Sequence, residues 1–226
     1  TTADEQIAEC ISGNFISFFP NIVDSTVESM KIYEHTSHSK DVFFALSHGV
    51  GTGKLRKKNT AKEKNDPRVK FMNSLKKKLT NVDFNFFGMN GVQPIWASEF
   101  DKNIKNCYMG ICLQRKPLLK YGLSDRIAQY LGNGLMIFLE NETKYYDILK
   151  PNHEAVYFDG VEDLSEKIKY YKQNKDKALQ IAHNGHKKMH SDFNERVVTN
   201  YMLDCLKYKE INRLKDKYNW PIHFYN

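Results

Sequence analysis

The sequence predicts a doubly wound α/β domain, with a mainly parallel, Rossmann-like sheet flanked by helices and a helical C-terminal segment. Two patterns predict it. Between residues 41 and 159, short apolar runs that read as strands alternate with segments of helical period. Strands connected in this way pair in parallel through right-handed crossovers. From residue 161 onward the period is helical.

Taken in order, DVFFALSHG (41–49) is the first strand and runs into a glycine-rich turn. DPRVKFMNSLKKKL (66–79) is a helix with Asp66 as N-cap and Pro67 at its first position, where a missing N–H costs nothing. VDFNFFGM (82–89) is the next strand. An aromatic linker containing Pro94 and Trp96 then leads to a buried strand in CYMGICLQ (107–114). SDRIAQYLGNG (124–134) is a helix begun by Ser124 and ended at glycine. LMIFLE (135–140) is a strand, ETKYYDILK a short helix, and EAVYFD (154–159) the last strand.

Beyond it, Val161, Leu164, Ile168 and Tyr171 mark one helix face. Val197, Val198, Tyr201, Met202, Cys205 and Leu206 mark another. DKALQIAHNGHKKMH, between them, is a helix expected to break or bend near Asn184 and Gly185. His183, His186 and His190 share one of its faces; with no acidic or thiol partner nearby, packing outweighs metal binding as their role.

The chain has 226 residues, of which 41% are hydrophobic and 27% charged, the composition of a globular protein with a sizeable core. No apolar run approaches the ~18 residues of a membrane helix, and no signal-peptide pattern opens the sequence. Cysteines 10, 107, 112 and 205 form no CxxC pair, which favours reduced thiols and a cytoplasmic location. The net charge of +7 is concentrated: residues 54–80 hold eleven Lys or Arg against Glu63 and Asp66. Such a segment suits an anionic partner, whether nucleic acid, a phosphorylated metabolite or the inner face of a membrane.

SHGVGTGKLRKK (47–58) is the most chemical stretch. It is not a Walker loop, because Gly49 and Gly53 are one residue too close and Leu55 replaces the magnesium-binding hydroxyl. It is not a dinucleotide fingerprint either, since Gly49, Gly51 and Gly53 are spaced two and two. What remains is a strand-end turn whose backbone amides can approach an anion, or else a plain surface loop.

The ordered pieces SDRIAQYLGNGLMIF, HEAVYFDGVEDLSEKIKYYKQN and ALQIAHNGHKKMHSDF, from Leu123 to about Leu206, resemble the C-terminal, nucleotide-sugar-binding domain of GT-B-fold glycosyltransferases. The similarity is to the group resembling spore-maturation glycosyltransferases. FFPNIVD (18–24) is similar to the loop that enters that domain, and FALSHGVGTGKL to its first strand and glycine turn. The resemblance implies that the chain binds a nucleotide-diphosphate sugar and transfers the sugar to a glycan, lipid-linked or protein acceptor, as in polysaccharide biosynthesis. It implies a hexosyltransferase-like activity without bound metal and with no cofactor beyond the donor itself. The diphosphate would lie on the amides of His48, Gly49, Gly51 and Gly53, with Lys54 or Arg56 beside it. Ser124, Arg126 and Gln129 would complete the donor site, Arg126 by touching phosphate or positioning the donor.

Two departures stand against the family pattern. Gln129 replaces the glutamate that holds donor hydroxyls, and position 121 is Tyr, so the paired-glutamate spacing of many retaining enzymes is missing. Asp125, in the first turn of its helix, would repel a phosphate docked there, which favours base and ribose contacts at that helix. The expected organisation is one donor-binding domain over 1–226, comprising a leading segment (1–40), the α/β core (41–159) and C-terminal helices (160–226). The acceptor domain that precedes it in complete enzymes is expected to be absent, and no catalytic base is assigned. Two other readings stay open: a basic nucleic-acid-binding module built on residues 54–80, with Phe84, Phe86, Phe87 and Trp96 as stacking surfaces, and a noncatalytic scaffold that retains the fold.

Overall fold

A computed structural model describes residues 16–47, 66–115, 118–122, 124–208, 211–218 and 224–225. Its centre is a five-stranded, fully parallel sheet of β2 (Val42–Ala45), β3 (Phe84–Phe87), β4 (Met109–Cys112), β5 (Met136–Glu140) and β6 (Val156–Phe158), in the order β3-β2-β4-β5-β6. Helices α1 (Pro67–Lys78), α2 (Ala97–Ile104) and α3 (Asp125–Gly132) cross between successive strands. Helices α4 (Gly160–Gln173), α5 (Lys175–Asp192), α6 (Glu195–Tyr208) and α7 (Ile211–Lys217) follow β6. A two-residue strand β1 (Ile16–Ser17) pairs antiparallel with β7 (Phe224–Tyr225), outside the main sheet.

Strand burial explains the layering. All four residues of β2 are buried: Val42 and Phe44 meet Met72 and Leu75 of α1 on one face, whereas Phe43 and Ala45 meet Tyr130 of α3 on the other. That two-sided burial, with apolar residues at every position, is the signature of a central parallel strand. Pro67 and Asp66 start α1 as expected, Asp66 accepting the Arg68 amide at 2.9 Å. Ser124 caps α3, and Gly134 follows its last turn at φ +84°, a left-handed conformation suited to glycine. The segment before β2 is tied to α5 and α3: the Val23 amide donates to the Phe193 carbonyl after α5, the Ile32 amide to the Asn133 carbonyl after α3, and Phe18 packs on Tyr121 ahead of α3.

Four expectations are corrected. The aromatic linker contains α2, a helix with little sequence signal because Trp96 makes no capping side-chain bond and only Ile104 is fully buried. ETKYYDILK forms no continuous helix: two 3-10 turns, Asn141–Thr143 and Tyr145–Asp147, are divided by Lys144 at φ 55°. Helix α5 runs unbroken through Asn184 and Gly185. A Cβ at Gly185 would lie 2.5 Å from the Glu154 carbonyl oxygen and 2.6 Å from Leu131, so the glycine serves close packing rather than a break. Leu206 is 77% exposed, because the buried stripe of α6 runs through Val198 and Tyr201 and leaves it on the far side.

Candidate functional site

The strand order reverses between β2 and β4: the chain steps from β2 out to β3, then crosses back to β4. In open parallel sheets a crevice forms at such a switch point, beyond the carboxyl ends of the strands. Here β2 pairs with β4 only at Val42–Met109 and Phe43–Gly110, whereas β4 stays paired with β5 through Cys112–Leu139. The last residues of β2 therefore diverge from β4. A cleft of about 680 Å3 opens there, lined by Ala45, Leu46 and Ser47 after β2 and by Gln114 and Arg115 after β4. The first half of α3 forms one wall. Pro94, Ile95, Trp96 and Phe100 form the other.

Helix α3 satisfies the groups that β4 leaves unpaired. The Ala45 amide donates to the Tyr130 hydroxyl at 3.2 Å, and its carbonyl accepts from the Arg126 guanidinium at 3.2 Å. Arg126 also donates to the Leu113 carbonyl (2.7 Å) and, through Nε, to Ser124 Oγ (2.7 Å). One side chain thus ties together the carboxyl ends of both strands flanking the cleft. These acceptors are neutral, so they satisfy donors without cancelling charge, and Arg126 makes no ion pair among the described residues. Among the described residues, two of its five N–H groups take no partner and can serve a ligand.

Of the site residues expected from the sequence, Ser124, Arg126 and Gln129 come together on the α3 wall. Gln129 is half-buried and uses its backbone carbonyl to close the helix end, receiving Asn133. Ser124 is committed to the cap and to Arg126. His48, Gly49, Gly51, Gly53, Lys54 and Arg56 lie outside the described residues; Ser47, which precedes them, lines the cleft. Asp125 accepts from Asn21 at 2.9 Å, which engages the carboxylate expected to repel phosphate.

The structure also brings to the cleft residues that the sequence reading did not assign to the donor site. Arg68 reaches the cleft from α1, but Asp66 holds it at 3.0 and 2.6 Å, so its charge is matched locally. Arg115 donates to the Ser47 carbonyl at 3.1 Å, a second link between the two strand ends. A cation directly after a strand in a parallel sheet was the signal available for it. Trp96 is 59% exposed on the opposite wall, where its indole face is open to a flat ligand. Glu28 lines the cleft from the segment before β2; burial raises its carboxyl above the usual carboxylate range, although the Asp24 amide donates to it at 2.9 Å.

Other chemical-looking groups are absorbed by packing. His183 and His186 pack in tilted geometry against Tyr33 at 4.8 and 5.2 Å, and His190 Nε2 lies 2.9 Å from the Gly132 carbonyl. Cys107 and Cys112 are buried, and burial pushes the Cys112 thiol up to about 12, far from a reactive thiolate. Among the described residues no helix is long and apolar enough to cross a membrane.

Comparison with known proteins agrees with this fold. The model of the family described as "Glycosyl transferase-like" matches residues 66–204. Among solved structures, a glycosyltransferase from Rickettsia africae is similar with a TM-score of 0.53 and 13% identity, over 83% of this chain and 55% of that one. HepE from Anabaena, solved in complex with UDP, is similar with a TM-score of 0.50 and 10% identity, over 75% and 49% of the two chains. Sucrose-phosphate synthase from Thermosynechococcus elongatus is similar with a TM-score of 0.50 and 10% identity, over 82% and 49%. At such identities the likeness is one of fold, and the chain spans about half the length of these proteins. No curated protein sequence matches it.

Proposed function

The chain belongs to the glycosyl transferase-like family, and from that premise we propose that its β2–β4 cleft binds a nucleotide-diphosphate sugar as the donor half of a GT-B glycosyltransferase. The observation that carries this reading is Arg126: a guanidinium with no ion pair among the described residues, anchored to both strand ends at the switch-point crevice. The diphosphate lies at the end of β2, on the amides of residues 48–53 with Lys54 or Arg56, and within the field of Arg126. Trp96 with Pro94 and Ile95 offers the nucleobase a stacking surface across the cleft. Gln129 hydrogen-bonds ribose or sugar hydroxyls, in place of the family's glutamate.

As an acceptor hydroxyl attacks the sugar C1, the C1–O bond to the diphosphate breaks and the leaving oxygen gains negative charge. Fixed cations and amide dipoles aimed at that oxygen lower the barrier without reorganising. Hexosyl transfer without a resident metal, to a glycan, lipid-linked or protein acceptor, fits this arrangement. The group resembling spore-maturation glycosyltransferases is the placement that the ordered motifs support. On this reading residues 1–226 form one donor-binding domain, and the acceptor site and catalytic base belong to a separate domain.

A thermal-shift screen against UDP-, GDP-, ADP-, CMP- and dTDP-sugars tests the proposal. A donor at about a hundredfold its Kd stabilises the fold by about 2.7 kcal/mol, a rise in Tm of roughly 5–10 °C. The expected result is a rise with one or two of the five. No rise with any of them at millimolar concentration overturns the reading, and tight salt-sensitive oligonucleotide binding would replace it with a nucleic-acid role.

A further inference from the structure

A second concave surface lies beside the amino end of the edge strand β6, whereas the cleft opens beyond the carboxyl ends of β2 and β4. It runs between the C-terminal half of α4 and the N-terminal half of α5, bounded by residues 152 and 153 ahead of β6, and measures about 670 Å3. Its floor is Ile181 and Tyr171, both buried. Above them stands Tyr170, 44% exposed. The ring is held in place: it packs edge-on against Tyr171 (5.1 Å, 83°), and Lys177 Nζ, 5.2 Å from its centroid, donates to its hydroxyl at 2.7 Å, so the surface open to a ligand is the part that these two leave uncovered. A ligand meeting this aromatic face finds a side chain already ordered.

The polar groups around the ring are planar and have unused hydrogen-bonding capacity. Gln180 Nε2 donates to Asn184 Oδ1 at 3.2 Å, which leaves Gln180 Oε1 and Asn184 Nδ2 available. Glu166 makes no hydrogen bond or ion pair among the described residues. Lys167 is paired with Asp163 at 2.6 Å, so the remaining cation, Lys177, is offset by Glu166 within the same groove. The surface therefore carries no net charge that would select an ionic ligand.

We propose that this groove is a carbohydrate-binding site for a neutral oligosaccharide. A hexopyranose has one apolar C–H face and a rim of hydroxyls that both donate and accept. The exposed Tyr170 face matches the first; the Gln180–Asn184 amide pair and the Glu166 carboxylate match vicinal hydroxyls. A nucleic acid would require excess positive charge, which the groove lacks. Because it shares no lining residue with the cleft, both sites can be filled at once. Binding in the groove is independent of whether the cleft transfers a sugar.

The test is backbone-amide NMR titration of the chain with cellopentaose, maltopentaose, mannopentaose and chitopentaose. At least one is expected to shift signals from residues 166–184 saturably, with a millimolar Kd, while signals from residues 124–129 stay unchanged. Tyr170→Ala is expected to weaken that binding about 10-fold and Tyr170→Phe to preserve it, both with near-parental Tm, since Tyr170 is half-exposed. The proposal is overturned if none of the four shifts the groove at 10 mM (an amount set by the ~mM affinity expected for such sites), if the shifts fall in the cleft, if Tyr170→Ala binds as tightly as the parent, or if an oligogalacturonate binds the groove in preference to all four.

Discussion

Helices α3 and α5 pack against each other, and each carries a polar trio that sequence spacing singles out. On α5, His183, His186 and His190 look like a ligand set but are wedged against Tyr33 and the Gly132 carbonyl. On α3, Ser124, Arg126 and Gln129 look ordinary but border the cleft between β2 and β4. Spacing along a helix is the same kind of signal in both. What separates them is position relative to the carboxyl edge of the sheet, where strand ends leave backbone groups for side chains and ligands to satisfy. Substitutions in α5 should therefore act on stability, and substitutions at the start of α3 on binding.

The largest effect is expected at Gly185. In Gly185→Val, the new side chain meets the Glu154 carbonyl and Leu131 with no room to yield, and unfolding by urea should show a loss of about 3 kcal/mol. Sugar-nucleotide affinity, measured below the variant's Tm, should be unchanged. A variant as stable as the parent would mean that α5 and α3 are not as tightly apposed as described.

His186 gives a pH test of the same packing. Burial, helped by His190 and Lys31, pushes it down to about 4 from the ordinary 6.5, and Nδ1 is buried without a partner. The unfolded chain therefore takes up the proton at higher pH than the folded one. Stability from this group is complete above pH 6.5, falls as the pH drops from 6.5 towards 4, and falls no further below that. The loss should be about 2–3 kcal/mol, and His186→Leu should flatten that part of the profile. An unchanged slope in the variant would assign the pH dependence to other groups.

At α3 the expected effects are smaller and fall on binding. Arg126→Ala should weaken donor binding by about 1.5–3 kcal/mol, because it removes a hydrogen bond to a charged group. Gln129→Ala should cost about 1 kcal/mol, and Gln129→Glu should be tolerated. Calorimetry on folded variants gives the ranking. The reverse order would move the phosphate away from Arg126.

Much of the fold is legible in the sequence because local and tertiary demands agree. The Asp66–Pro67 start of α1, the Ser124 cap of α3 and the fully apolar β2 and β4 are each written in a few adjacent residues. Helix α2 is not, because it buries only Ile104 and has no capping residue. Gly185 misleads because its role is set by Glu154 and Leu131, remote in sequence. At the site, family resemblance singles out Arg126 and Gln129. The way Arg126 is held is invisible in the sequence, since its partners at Ala45 and Leu113 are backbone carbonyls that carry no residue signature. Trp96 is visible as an aromatic residue, but only the strand order shows that it faces α3 across a cleft.

Hydrogen–deuterium exchange with the sugar nucleotide that gives the largest thermal shift tests the placement of the donor most directly. Binding in the β2–β4 cleft should slow exchange at residues 45–53, 94–101 and 124–129 and leave α4 and α5 unchanged. Protection confined to other segments, or none at saturation, would contradict a donor site at this switch point.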